Sequence, residues 1–104
     1  MNPCDAFEKC RDENHRIPRL EKIIITDPEY SYRYASDVIN GRWEEAESSI
    51  ATNSQYSYLY ALYVIHGPFH LCHHFIFNSK WKDDYIDFLK SINYDLNKIS
   101  EWLI

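Results

Sequence analysis

The chain has 104 residues, enough for one domain, and its 11 Lys plus Arg against 16 Asp plus Glu leave a formal charge of −5. That balance argues against a basic face for nucleic acid and against adsorption to an anionic membrane. With 45% hydrophobic and 26% charged residues the composition is globular, and two glycines exclude a Gly-rich phosphate loop and weigh against a turn-dense β-sandwich.

No apolar run approaches the ~20 residues of a membrane-spanning helix, and no basic-then-apolar leader opens the chain. Cys4, Cys10 and Cys72 are an odd number, which points to reduced thiols, and Cys4 and Cys10 stand too far apart for a CxxC redox motif.

Along the chain, residues 4–13 occupy the place of a first helix. Residues 14–26 then match residues 40–52 in their Asn, Arg, Glu, Ile and Thr positions. The same offset of 26 carries Tyr30, Tyr32, Tyr34, Ala35, Val38, Ile39, Gly41, Trp43 and Ile50 onto Tyr56, Tyr58, Tyr60, Ala61, Val64, Ile65, Gly67, Phe69 and Ile76. A fixed internal period of this size is the signature of stacked supersecondary units.

Each unit reads as a helical hairpin. Asp27, Asn53 and Ser79 are N-cap residues at one register position, and Pro28 suits the first helical turn. The first helix is expected over Pro28 to Asn40, with Tyr30, Tyr34 and Val38 on one stripe and Ala35 and Ile39 beside it. Gly41 and Gly67 are expected to end the first helices in the left-handed conformation. Trp43, Ala46 and Ile50 then make the dry stripe of a short second helix, with Glu44, Glu45 and Glu47 facing water. Ile17, Leu20 and Ile24 precede them in register, and Phe69, Cys72 and Ile76 follow. Past residue 80 the register drifts, and Ile92, Leu96, Ile99 and Leu103 predict one longer terminal helix.

These readings predict an all-α fold: a short α-solenoid or helical bundle of about four antiparallel helical hairpins with a 26-residue repeat. Residues 1–104 form a single domain, with units near 4–26, 27–52, 53–78 and 79–104. Atypical end units are expected where a stack must be capped.

The stretch over residues 30–51, with Tyr-Ala-Ser-Asp-Val-Ile-Asn-Gly-Arg-Trp-Glu-Glu-Ala-Glu at its centre, resembles short helical-hairpin repeats of bacteriophage and giant-virus proteins. The likeness covers residues 27–51 well, is weaker over 14–26 and 52–69, and fails at both termini. It implies an α-solenoid, a viral origin, work in the host cytoplasm and no catalytic residues. Pro68 to Phe75 departs from the pattern.

Several clusters invite a functional reading. His66, His70, Cys72, His73 and His74 crowd into nine residues. His70 with His73 or His74 has the spacing that places two imidazoles on one helical face, as zinc sites do. Against this, the repeat register puts His70, His73 and His74 with Glu44, Glu47 and Ser48 on a wet face, and Cys72 on the dry one. Tyr30, Tyr34, Tyr56 and Tyr60 are core candidates. Tyr32 and Tyr58 fall about 200° away on a helical wheel, forming a ladder with Tyr63 that serves either packing between units or a partner surface. Glu44, Glu45 and Glu47, and Asp83, Asp84 and Asp87, form two acidic clusters that read as solvated faces or as surface for a basic partner.

No nucleophile elbow or cofactor loop is present, so neither an enzyme nor a cofactor is expected. Ile99, Trp102, Leu103 and Ile104 gather apolar surface that would cap the last hairpin or pair two copies. The reading that emerges is a small viral module that binds and inhibits or redirects a host protein, such as a nuclease or another defence factor, with no direct contact to nucleic acid or membrane. The alternative is a metal- or ligand-binding module using His70, His73 and His74.

Overall fold

A computed structural model describes residues 1–95, and all regular structure in them is helical. Helix α1 spans Pro3–Glu13, α2 Pro18–Ile24, and α3 Pro28–Tyr34, which runs on through a π-helical turn at Ala35–Ile39. A 3-10 turn at Glu44–Ala46 leads into α4, Glu47–Ile50. The same sequence of shapes recurs: α5 at Ser54–Tyr60 with a π-helical turn at Ala61–Ile65, then a 3-10 turn at His70–Cys72 and α6 at His73–Phe77. Helix α7 covers Lys82–Ser91. None of these helices is long and apolar enough to cross a membrane.

Local chemistry sets most of the starts. The side chains of Asn2, Asp27 and Asn53 accept the amides of Asp5, Tyr30 and Tyr56 at 2.8, 3.0 and 3.1 Å, satisfying one free donor in each first turn. Pro3, Pro18 and Pro28 stand where no intrahelical donor is required. Ser79 behaves otherwise. Its Oγ donates to the Ile76 carbonyl at 2.7 Å and accepts from the Trp81 amide at 3.1 Å, and α7 begins only at Lys82. The chain therefore enters α7 through a local turn.

The exits overturn one expectation. Gly41 and Gly67 do not adopt positive φ; Asn14, Asn40, His66 and Asn93 do, at 57°, 61°, 58° and 60°. The π-helical turn is the reason. Its wider ring lets the Asn40 and Gly41 amides both reach the Ala35 carbonyl, as those of His66 and Gly67 reach Ala61, so the chain reverses one residue before each glycine. Asn and His enter the left-handed region more readily than most residues. A Cβ at Gly41 would meet nothing within 4 Å, and one at Gly67 only the Ile65 side chain at 3.8 Å.

The buried core contains Leu20, Ile24, Tyr34, Trp43, Ala46, Ile50, Tyr60, Phe69, Cys72 and Ile76 from the expected stripe, with Val64 at its margin. Ile17 and Val38 are only partly covered. Ala6, Phe7 and Cys10 of α1 extend the core at one end, and Tyr85 and Leu89 of α7 at the other. The described elements pack as neighbours in chain order, with α3 also against α1 and α5, and the principal extents are 43 × 22 × 20 Å.

Helix α7 stops at Ser91, where left-handed Asn93 and a 2.9 Å bond from the Tyr94 amide to the Leu89 carbonyl turn the chain. The longer terminal helix expected through Ile92 is thus interrupted. Leu96, Ile99, Trp102, Leu103 and Ile104, and the dimer contact expected of them, lie outside the described residues.

Candidate functional site

Three buried tyrosines separate structural polar groups from available ones. The Tyr34 hydroxyl accepts the Ile17 amide at 3.3 Å and donates to Glu21 Oε2 at 2.6 Å. The Tyr60 hydroxyl accepts the Trp43 amide at 2.8 Å and donates to Glu47 Oε2 at 2.7 Å. In each case an arginine five residues before the glutamate, Arg16 or Arg42, grips both carboxylate oxygens. Burial and the neighbouring glutamate raise both tyrosine pKa values, so these hydroxyls act as fixed donors.

This corrects the placement of Glu47. It is 8% exposed and committed to Tyr60 and Arg42, not part of a wet acidic face. Side-chain periodicity alone misplaced it because its partner lies 13 residues on. Yet the signal was in the sequence: Arg, Glu and Tyr recur together at 16, 21, 34 and at 42, 47, 60.

His73 is corrected for the same reason. It occupies the Glu47 position, is 3% exposed, and its Nδ1 lies 2.7 Å from the Tyr85 hydroxyl, which also accepts the Phe69 amide at 3.0 Å. The Tyr85 proton therefore points to Nδ1, which assigns the ring hydrogen to Nε2, 3.0 Å from His70 Nδ1. Burial, with His70 beside it, pushes the His73 pKa down to about 3, so the ring is neutral. His74 is exposed and meets Asn78. His70 and His73 thus meet each other while His74 turns to Asn78, so the three do not converge on one point. Among the described residues, Cys4, Asp5 and Glu8 are the one group of three metal-type donors close together, near the start of α1. Cys72 points inward, as expected, and burial lifts its thiol pKa to about 12.

The tyrosine ladder divides by depth. Tyr32 and Tyr58 are half-buried between successive units: Tyr32 meets Tyr56 at 6.0 Å between ring centroids, and Tyr58 stacks on Trp81 at 5.6 Å and meets Tyr85 edge-on at 6.4 Å. Tyr63 is 57% exposed. Its hydroxyl is close enough to raise the pKa of both Tyr32 and Tyr58, after burial itself. Asp37 acts likewise on Tyr32, and Asp84 and Asp87 on Tyr58. Tyr32 and Tyr58, on α3 and α5, thus feel Tyr63 and three exposed aspartates, and Tyr32 also feels Arg33, which opposes the rise. Asp37 and Trp81 were not foreseen there, because their places depend on how α3, α5 and α7 pack.

The remaining acidic candidates lie apart. Glu44 and Glu45 are exposed, and Glu45 lines a groove with Pro18, Lys22, Ile25 and Trp43. Asp83 is exposed in the first turn of α7 and is not among the charges acting on Tyr58. A second groove lies along Ser48, Ala51, Thr52, Ser54 and exposed Phe75.

The chain matches no family model, no curated protein and no solved structure.

Proposed function

We propose that this chain is a protein-interaction module, a short stack of helical hairpins that holds the α3/α5/α7 face toward a host protein and inhibits or redirects it. The observation that carries this reading is Tyr63, a large ring left 57% exposed beside half-buried Tyr32 and Tyr58. Tyrosine adds contact area at small entropic cost, and here its neighbours are already fixed by packing between units. Two supports for the stacked architecture are the hydroxyl-to-amide bonds of Tyr34 and Tyr60, which recur 26 residues apart, and the elongated 43 Å extent. The resemblance of residues 30–51 to viral hairpin repeats favours a host partner, with a defence factor as its class, and work in the host cytoplasm.

Affinity capture from host lysate with wild type and Tyr63→Ala tests the reading. A specific host protein should be retained by wild type and lost from the variant, while helicity by circular dichroism stays unchanged. Capture of no specific protein, or capture indifferent to Tyr63, would overturn the proposal.

A further inference from the structure

Independently of that reading, we infer that Asn40 is a site of spontaneous deamidation, held unreactive by the folded exit of the α3 hairpin and released only when that turn opens. In the reaction the Gly41 backbone nitrogen attacks the side-chain carbonyl carbon of Asn40. A C–N bond forms, and the side-chain nitrogen leaves as ammonia together with the Gly41 amide hydrogen. Water then opens the succinimide ring at either carbonyl, giving aspartate or isoaspartate. The attacking nitrogen must be unhindered, and glycine alone carries no Cβ to crowd it. Asn40-Gly41 is the one Asn-Gly pair in the sequence.

Two features of the folded exit hold the reaction off. Asn40 sits at φ 61° and ψ 41°. Ring closure needs the Gly41 nitrogen eclipsed with the Asn40 Cβ, and this ψ places it nearly opposite. The Gly41 amide also donates to the Ala35 carbonyl at 3.2 Å, so the nucleophile is tied into the π-helical turn. Asn40 is exposed, so water meets it as soon as the turn swings open. The fold itself has no need of the glycine: φ at Gly41 is not positive, and a Cβ there would meet nothing within 4 Å. The next hairpin repeats the exit with left-handed His66 before Gly67, where there is no side-chain amide to lose. Asn14 and Asn93 are left-handed as well, but His15 and Tyr94 follow them and crowd the attack. Isoaspartate adds a carbon to the main chain at the point where two successive amides share the Ala35 carbonyl. Trp43, whose amide is fixed on the Tyr60 hydroxyl at 2.8 Å, follows within three residues. Its formation therefore loosens the exit that had suppressed it.

The test follows the intact protein at mildly alkaline pH, in native buffer and in urea, by peptide mapping and by enzymatic methylation of isoaspartate. In urea Asn40 should convert at least about tenfold faster than Asn14, Asn53, Asn78 or Asn93, and native buffer should slow it at least about tenfold, since only the open fraction reacts. Gly41→Ala should cut the rate in urea at least about tenfold, with helicity unchanged and a melting temperature at or slightly above that of wild type. His66→Asn should gain a second site before Gly67 with the same protection. The isoaspartate form, separated by ion exchange, should unfold at lower urea than Asn40→Asp, which adds the charge without lengthening the chain. Equal rates in native buffer and urea, conversion led by another asparagine, or a Gly41→Ala chain as reactive as wild type would each overturn the inference. An isoaspartate form as stable as Asn40→Asp would overturn its coupling to the exit.

Discussion

Tyr60 of α5 and Tyr85 of α7 perform the same task, each accepting a backbone amide, but their hydroxyls meet different acceptors. Tyr60 donates to Glu47, whose charge Arg42 balances from five residues before; Tyr85 faces His73, and Pro68 stands where Arg42 would repeat. The backbone bond is kept in both, to Trp43 and to Phe69. The ring contacts differ: Tyr60 lies 5.0 Å from Phe69, as Tyr34 lies 4.8 Å from Trp43, whereas Tyr85 meets Phe77 at 5.7 Å and His73 at 5.6 Å. The difference shows what the tyrosine requires: a buried acceptor at one point, whether an ion pair or a neutral ring. Arginine and glutamate are absent together, because a carboxylate at position 73 without its guanidinium would be a buried, unbalanced charge.

The largest expected effect comes from breaking that pairing. His73→Glu alone should lower stability at neutral pH by about 3 kcal/mol, the cost typical of a buried charge left without its counterion. Adding Pro68→Arg should restore most of the loss by rebuilding the arrangement of Arg42, Glu47 and Tyr60. Urea unfolding of the two variants and wild type measures both steps. A His73→Glu protein as stable as wild type would show that position 73 needs no counterion.

The comparison also separates the hairpins by pH. His73 has its pKa lowered from 6.5 to about 3, by burial first and then by His70. The folded ring therefore stays neutral while the unfolded chain takes up a proton below pH 6.5. Its contribution is fully present above pH 6.5 and is lost as pH falls toward 3. Between pH 7 and 5 the loss should be about 2 kcal/mol. Glu21 is also shifted down, but from a lower starting point: the Arg16 hydrogen bonds hold its pKa below the ordinary 4.5. Its contribution is present above 4.5 and is lost only as pH falls below that value. The interval from pH 6.5 to 4.5 thus isolates His73 from Glu21. Unfolding followed by tyrosine and tryptophan fluorescence should fall in stability across it for wild type and stay flatter for His73→Gln. Parallel profiles for the two proteins would remove His73 as the cause.

Much of the core was legible because its stripe depends on local periodicity. Leu20, Ile24, Trp43, Ile50, Phe69 and Ile76 were placed by helical spacing and are buried. The exits were not legible, since a helical wheel of constant pitch does not anticipate a π-helical turn. That turn moves the left-handed position from Gly41 and Gly67 to Asn40 and His66. Glu47 and His73 were misplaced for a related reason: polar character at a register position says water, unless a distant tyrosine supplies the partner. For the candidate face, Tyr32, Tyr58, Tyr63, Asp84 and Asp87 were named from sequence as members of separate clusters. Only the packing of α3, α5 and α7 lets these charges act on Tyr32 and Tyr58 and adds Asp37.

The smallest expected effect concerns how each hairpin closes onto the next. Ser31 and Ser57 are fully buried, and each Oγ donates seven residues back, to the carbonyl of Ile24 at 3.1 Å and of Ile50 at 3.0 Å. In the third unit the matching carbonyl, that of Ile76, takes its hydroxyl from Ser79, three residues on. The long-range bond ties α4 to α5, whereas the local one only shapes a turn. Ser57→Ala should cost about 1 kcal/mol, toward the lower end for a buried hydrogen bond, because the Ile50 carbonyl keeps the Asn53 amide at 3.1 Å. Ser79→Ala should cost about half as much. Its carbonyl keeps the Ser79 amide at 3.1 Å, and the Trp81 amide it releases lies in a part-buried turn within reach of water. For a domain of this size 1 kcal/mol moves the melting temperature by about 4–8 °C, so calorimetry resolves the two variants. A Ser79→Ala protein that melts below Ser57→Ala would mean that the local turn, and not the buried serine between helices, holds the hairpins in register.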